Sequence, residues 1–409
     1  MKTNFNLTQD QQNAYAAMVT LLTTAQKDLV VLGAAGTGKT TLVNTFLNEW
    51  PQFVALSGGS FKDVDVYLTA TTNKAADALS AATGRETSTI HSFLGLRVKS
   101  LGYRSTELVD NGKHVPDDCL IIIDEASFVD DELLKKIRQK AKNCKVVFLG
   151  DPCQLKPVGS DDTPVFTAGI PTTSLTQIVR QSDDSPIQKL SRALRDHVAG
   201  DPMPSAGVDG INILHLPNDE FEKSLIEDCR KGKGNSVRAL AWTNQVAIGY
   251  NEMVAHALSG NPEIKLGDTA VVNKQVQKRG HYKLPTDSTV YIQGLSNWRI
   301  DNNGIESREV DTGQGYVLRQ ARDYADVIPL IKKAYADGQG SLADCLENLY
   351  VDLRLMYAST VNKSQGSTYD TVYIDLNDIG KCRDKDQVRR MLYVAVSRAR
   401  HKVVFTGDI

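Results

Sequence analysis

The sequence predicts an α/β fold in two halves, and three features carry that reading. Short apolar runs alternate with helical periodicity through the first half, at 29–32, 66–70, 119–123 and 145–149. The alternation resumes after a proline-marked loop at 201–204. Between about 266 and 357 the texture changes to short β-rich runs (289–292, 308–310, 316–318) among Gly, Asp and Asn turns. Apolar runs of four or five residues, each followed by a helical pattern, mark βα units around a doubly wound parallel sheet. The middle segment reads as a small β domain inserted into the second half.

Taken in order, 29–32 is the first strand and 41–47 the helix after it, with Leu42 and Phe46 one turn apart. The run 66–70 precedes a helix around 74–82, and 119–123 precedes one around 131–141; 145–149 is a further strand. Residues 96–115 break the rhythm. Gly102, Tyr103 and the turn Asp110-Asn-Gly112 predict a β-hairpin inserted between two sheet elements. In the second half, 238–242, 371–375 and 401–406 read as strands, and 245–258 and 386–396 as helices. Residues 321–349 are compatible with helix.

Composition sets the outer bounds. A chain of 409 residues, 41% hydrophobic and 23% charged, has room for two or three domains with real cores. No apolar run approaches the roughly 18 residues of a membrane span, and the opening residues 1–6 lack a signal-peptide stretch. A cytoplasmic protein with no membrane partner is expected. The six cysteines show no C-x-x-C or zinc spacing, so reduced core thiols are expected. A net charge of −2 argues against a generally basic nucleic-acid coat and leaves room for a local basic groove.

Gly33, Ala34, Ala35, Gly36, Thr37, Gly38, Lys39 and Thr40 spell a complete P-loop between a predicted strand and helix, with Thr41 next. Glycines let the backbone close on phosphate oxygens, whose charge meets the loop amides and the helix dipole. Lys39 would reach the β- and γ-phosphates, and the Thr40 hydroxyl would ligate magnesium. Downstream, four apolar residues end in Asp124-Glu125, at the carboxyl end of a buried strand, where open parallel sheets bind ligands. Asp124 would hold Mg²⁺ mostly through its water shell, and Glu125 would polarise the attacking water. A plain glycine turn and a helix-start acid pair are the structural alternatives. The complete loop, with strand before and helix after, weighs against both. These residues predict hydrolysis of a nucleoside triphosphate; no hydroxyl-acceptor site for a kinase is found.

Seven further runs fall into a series. Leu7-Thr-Gln-Asp-Gln-Gln-Asn-Ala-Tyr15, Thr71-Thr-Asn-Lys-Ala-Ala76, Thr89-Ile-His-Ser-Phe93 and Gly150-Asp-Pro-Cys-Gln-Leu155 lie in the first half. Leu175-Thr-Gln-Ile-Val-Arg-Gln181, Ala358-Ser-Thr-Val-Asn-Lys-Ser-Gln-Gly-Ser367 and Tyr393-Val-Ala-Val-Ser-Arg-Ala-Arg400 complete it. In this order they resemble motifs Q, Ia, Ib, III, IV, V and VI of superfamily-one helicases of the RecD-like branch, its Dda-like phage members above all. The resemblance spans nearly the whole chain and is weakest in the hairpin and the β insertion.

The resemblance implies two RecA-like P-loop motor domains, 1–180 with the hairpin insertion 96–115, and 181–409 with a small SH3-like β insertion at about 266–357. It implies an ATP- and Mg²⁺-using DNA helicase that moves 5′→3′ on single-stranded DNA and opens duplex at single-strand/double-strand junctions. It further implies a monomer in the host cytoplasm, with single-strand-binding, replication or recombination proteins as partners. Two variants of the reading stay open, a translocase that strips proteins from single strands and an RNA-directed helicase. A scaffold with a dead nucleotide site is disfavoured by the intact motif set.

Residue roles follow by resemblance. Gln11 would read the adenine edge, Gln154 would sense the γ-phosphate, and Gly366 would bring backbone close to nucleotide. Arg180, at the end of the first domain, and Arg398, from the second, would stabilise charge on the γ-phosphoryl oxygens. ATP binding would close the cleft and hydrolysis would release it. Thr71, Asn73, Lys74 and His91 in the first domain, and Thr243, Asn244, Thr360, Asn362 and Lys363 in the second, would grip DNA. The grip would be mainly on phosphates, because a motor must be blind to sequence. Structural readings stand beside these: caps and turns for the short polar residues, a buried imidazole for His91, a helix-end cation for Arg398. Two departures are plain. Asn362 stands where the family carries His, and the hairpin tip is not chosen among Tyr103, Leu108 and Val109.

Overall fold

Strands buried on both faces need apolar residues at every position, and the first half supplies them. In a computed structural model of the chain, residues 7–102, 105–157, 159–160, 162–177, 185–231, 236–278 and 282–409 are described, without the side chains of 98–106 and 278–283. Arg180 and Tyr103 therefore lie outside the described residues. Contacts gather the chain into two units. One comprises Met1–Val98, Leu108–Ser205 and Lys385–Ser397; the other comprises Lys99–Glu107, Ala206–Asp384 and Arg398–Ile409.

The first unit carries strands β1 (Asp28–Gly33), β2 (Val66–Ala70), β3 (Thr87–Thr89), β4 (Leu96–Gly102), β5 (Ser105–Asp110), β6 (Leu120–Asp124), β7 (Lys145–Gly150) and β8 (Thr172–Leu175), although contacts group residues 99–107 of β4 and β5 with the second unit. Six of them form one parallel sheet in the order β3-β2-β6-β7-β1-β8, while β4 and β5 pair apart. Side chains alternate between its faces. Val31, Ile122, Val147 and Leu149 meet helices α1 (Gln9–Thr23), α2 (Lys39–Leu56) and α3 (Asn73–Thr83) through Met18, Leu42, Phe46 and Leu79. Val30, Ile121, Ile123 and Phe148 meet Leu133, Leu134 and Ile137 of the helix Asp131–Lys140 on the other side. Ile122, fully buried mid-sheet, contributes about 1.5–3 kcal/mol by leaving water.

The second unit holds a five-stranded parallel sheet in the order Ala358–Thr360, Val237–Ala241, Tyr369–Asp375, Ala399–Thr406, Ile213–His215. Helices Asn218–Lys231 and Asn244–Ser259 cover it around Phe221, Leu225, Val254 and Tyr373. Residues 269–354 build smaller, mostly antiparallel sheets with their own core of Val272, Val290, Ile292, Val310, Leu318 and Val351. Helices Val327–Ala336 and Gly340–Leu349 fill the stretch whose sequence is compatible with helix.

All six cysteines are free thiols. Cys119, Cys144 and Cys153 are buried, but Cys345 is exposed and Cys229 and Cys382 half-buried, so only half are core thiols. Leu108 is corrected as a tip candidate, since its side chain lies in the first unit's core. No helix among the described residues is long and apolar enough to cross a membrane.

Candidate functional site

Because β6, β7 and β1 are neighbours in register (Ile123 beside Phe148, Leu32 beside Gly150), their carboxyl ends deliver Asp124, Asp151 and Gly33 to one place. Beyond Gly33 the chain turns through Gly36 and Gly38 at φ 84° and 82° before α2 starts at Lys39. Glycine alone holds that backbone without strain. A Cβ on Gly33 would sit 2.5 Å from Thr37 Oγ1, so the loop closes tightly on itself. Thr37 donates to the Ala34 carbonyl at 3.0 Å. Lys39 Nζ folds back to the carbonyls of Gly33 (2.5 Å) and Ala34 (3.1 Å). Thr40 and Thr41 follow in the first turn of α2, half-buried.

The Asp124 carboxylate accepts the Glu125 N–H at 2.8 Å. Burial raises its pKa, opposed by the Lys39 charge and that hydrogen bond. Glu125 itself is left-handed, φ 53°, an uncommon conformation for a residue with a Cβ and one that concentrates at functional sites. Thr71 braces the pair, its N–H reaching the Asp124 carbonyl (3.2 Å) and its hydroxyl the Glu125 carbonyl (2.9 Å). Gln11 is buried and engaged: its amide donates to the carbonyls of Thr37 (3.3 Å) and Gly38 (3.4 Å), while its oxygen completes a capping box with Thr8. In this structure the Gln11 amide holds the loop from behind.

Four residues that sequence reasoning does not single out join the site. The Asp151 carboxylate, wholly buried, accepts the Tyr393 hydroxyl (2.6 Å), the Cys153 N–H (3.1 Å) and Arg195 Nε (3.4 Å). The Tyr393 oxygen also accepts the Ala35 N–H of the P-loop at 3.5 Å. Burial first, then the Asp151 charge, holds the Tyr393 phenol well above its ordinary pKa. Arg390, on the same helix Lys385–Ser397, donates to the carbonyls of Pro152 (2.5 Å) and Gln154 (2.7 Å). Gln154 is buried within this loop. The available signals were the motif runs 150–155 and 393–400, which contain Asp151 and Tyr393, and a charged residue directly after an apolar strand.

The expected nucleic-acid contacts group at two further strand ends. Ala70 of β2 lies beside Thr89 of β3, so 71–74 and 89–91 leave the sheet together. Thr72 caps α3, where Asn73 and Lys74 begin the first turn, and Thr89 caps the short helix Ile90–Phe93 that bears His91. Desolvation lowers the His91 pKa against the pull of Asp130 and Glu132. In the second unit Ala241 lies beside Thr360, which brings Thr243, Asn244, Thr360, Asn362 and Lys363 together. Thr243 and Thr360 each cap the helix that follows. The Thr243 hydroxyl also donates to the buried Asp378 carboxylate (3.1 Å). Asn244 accepts from Arg354 (3.3 Å), and Lys363 donates to Asn273. Gly366, at φ 78°, precedes Ser367, whose carbonyl accepts from the buried Arg398 (3.2 Å).

Residues 6–206 match the model of an AAA domain, and residues 355–406 that of the UvrD-like helicase C-terminal domain. The chain is 32% identical to the ATP-dependent DNA helicase dda of Enterobacteria phage T4, covering 98% of this chain and 99% of that protein. The chain belongs to the Dda family of helicases. This Dda-family chain is also 27% identical, over 93% of its length, to the ATP-dependent RecD2 DNA helicase of Deinococcus radiodurans. It spans about half of that relative, 47%. Its fold is similar to Pif1 helicase from Candida albicans (18% identity, TM-score 0.52, 98% and 94% covered). Bacteroides Pif1 bound to ssDNA gives 17% and 0.50, with 99% and 93% covered.

Proposed function

We propose that this chain is an ATP-dependent DNA helicase that moves 5′→3′ on single-stranded DNA and opens duplex at single-strand/double-strand junctions. The observation that carries it is the convergence of the P-loop, Asp124-Glu125 and the Gln154 loop at the ends of three adjacent strands. Loop amides and Lys39 bind the phosphates, Glu125 orients water, and Gln154 follows the γ-phosphate. For Arg180 and Arg398 we propose stabilisation of the charge that spreads over the γ-phosphoryl oxygens. The Thr40 hydroxyl and Asp124 carboxylate are hard oxygen donors of the kind Mg²⁺ takes alongside phosphate and water. Bound there, the metal would neutralise charge developing on the phosphates.

The division into motor domains 1–180 and 181–409, with a hairpin at 96–115 and an SH3-like insertion at about 266–357, is part of this proposal. A parallel sheet in each half and a separate β core within the second support it. The two clusters of polar residues at strand ends are the DNA grip, with helix N-termini offering amides to phosphate. We take the enzyme to act as a cytoplasmic monomer, alongside single-strand-binding, replication or recombination proteins. Polarity rests on family membership.

Duplexes tailed at only the 5′ or only the 3′ end, with ATP and Mg²⁺, test the reading. The 5′-tailed duplex is expected to open and the 3′-tailed one to stay closed. Opening of the 3′-tailed duplex alone would reverse the polarity. DNA-stimulated hydrolysis with neither duplex opened would leave a translocase. A phosphate grip further predicts that log affinity for single strands falls with log salt by ~0.7 per contact. A flat response in a fluorescence titration would point to base stacking instead.

A further inference from the structure

Asp386, Arg390 and Tyr393 lie at i, i+4 and i+7 on the helix Lys385–Ser397, and so share one face. That face grips the loop after β7 at three points. Asp386 pairs with Lys156 (2.9 Å) and Arg390 (2.8 Å); Arg390 holds the carbonyls of Pro152 and Gln154; Tyr393 holds Asp151. The same phenol oxygen accepts the N–H of Ala35, a backbone donor of the P-loop; such loops bind phosphate through backbone N–H groups. Its two bonds differ in kind. The bond to Asp151 is short, charge-assisted and buried, while the one from Ala35 is long and between neutral groups.

We propose that Tyr393 and Arg390 are positioning residues that couple phosphate occupancy of the P-loop to the seating of the helix ending at Ser397, one residue before Arg398. An anionic phosphate oxygen is a better acceptor for the Ala35 N–H than a phenol. Filling the loop therefore frees the Tyr393 oxygen from Ala35 and leaves its bond to Asp151. Because Arg390 holds the backbone of Gln154 itself, the helix follows the loop that carries the γ-phosphate contact. The inference rests on the hydrolase reading above and adds the element that places the arginine.

Tyr393→Phe keeps the ring and removes only the hydroxyl. DNA-stimulated kcat is expected to fall on the order of 10–100-fold, as misplacement of a catalytic group does, with KM for ATP held within about threefold. Arg390→Lys keeps the charge, gives up the two-carbonyl grip, and should show the same split more weakly. It carries the test if Tyr393→Phe melts early. Tyr393→Phe combined with Asp151→Asn should be no slower than Asp151→Asn alone, since the two act as one unit. Wild-type kcat in both single variants, a loss confined to KM, or full additivity in the double variant overturns the inference and leaves the helicase. A wild-type enzyme without DNA-stimulated hydrolysis overturns the helicase reading as well.

Discussion

Lys39→Ala is expected to lower ATP turnover by at least ~10²–10³-fold, the scale for removing one charge-stabilising donor. The ammonium lies within the loop, in hydrogen-bond reach of the Gly33 and Ala34 carbonyls. A phosphate would draw it off these carbonyls, because an anion is the stronger acceptor. Alanine would remove one of the charges that neutralise the γ-phosphoryl as it transfers. The fold should persist, for Lys39 is only half-buried and α2 is held by Leu42, Val43, Phe46 and Leu47. Single-stranded DNA binding should also persist in large part. The checks are phosphate release at saturating DNA and a thermal melt. Wild-type turnover in this variant would refute the assignment of the loop as the hydrolytic site.

Arg398→Ala is expected to bind ATP nearly normally and to hydrolyse it ~10³-fold more slowly, the loss typical of an arginine finger. Arg398 is 5% exposed and donates to the Ser367 carbonyl, so truncation also leaves that carbonyl one donor short. Arg398→Lys separates the two effects. It keeps the charge but not the planar fork of donors; a slow enzyme with an unchanged melt then reports chemistry rather than packing. Affinity for a non-hydrolysable ATP analogue and single-turnover rates give the division. Loss of affinity with kcat intact would make Arg398 a ground-state contact.

What could be read from sequence depended on how local its cause was. Strands such as Leu120–Asp124 and Val66–Ala70 declare themselves, because a central parallel strand must be apolar on both faces. The P-loop and acid pair are equally local, each a contiguous run whose chemistry follows from residue type. The strands Thr87–Thr89, Thr172–Leu175 and Ile213–His215 are too short for a period, and only neighbouring strands define them. Helix Asn218–Lys231 buries just Phe221 and Leu225 among charged residues, a face too narrow to stand out. Gln11 was legible as a motif residue, but its engagement with Thr37 and Gly38 is a tertiary fact. The bond between Asp151 and Tyr393 joins positions 242 residues apart, and no pattern along the chain encodes it.

The broken course of the first unit has a consequence for biosynthesis. The last of its three segments is separated from the other two by residues 206–384, so the helix Lys385–Ser397 is translated long after the loop it fastens. Until Tyr393 has left the ribosome, the nascent chain holds the Asp151 carboxylate without its phenol partner and without the Arg390 grip on Pro152 and Gln154. A growing chain thus carries the P-loop and the loop after β7 before the helix that bonds to both of them exists.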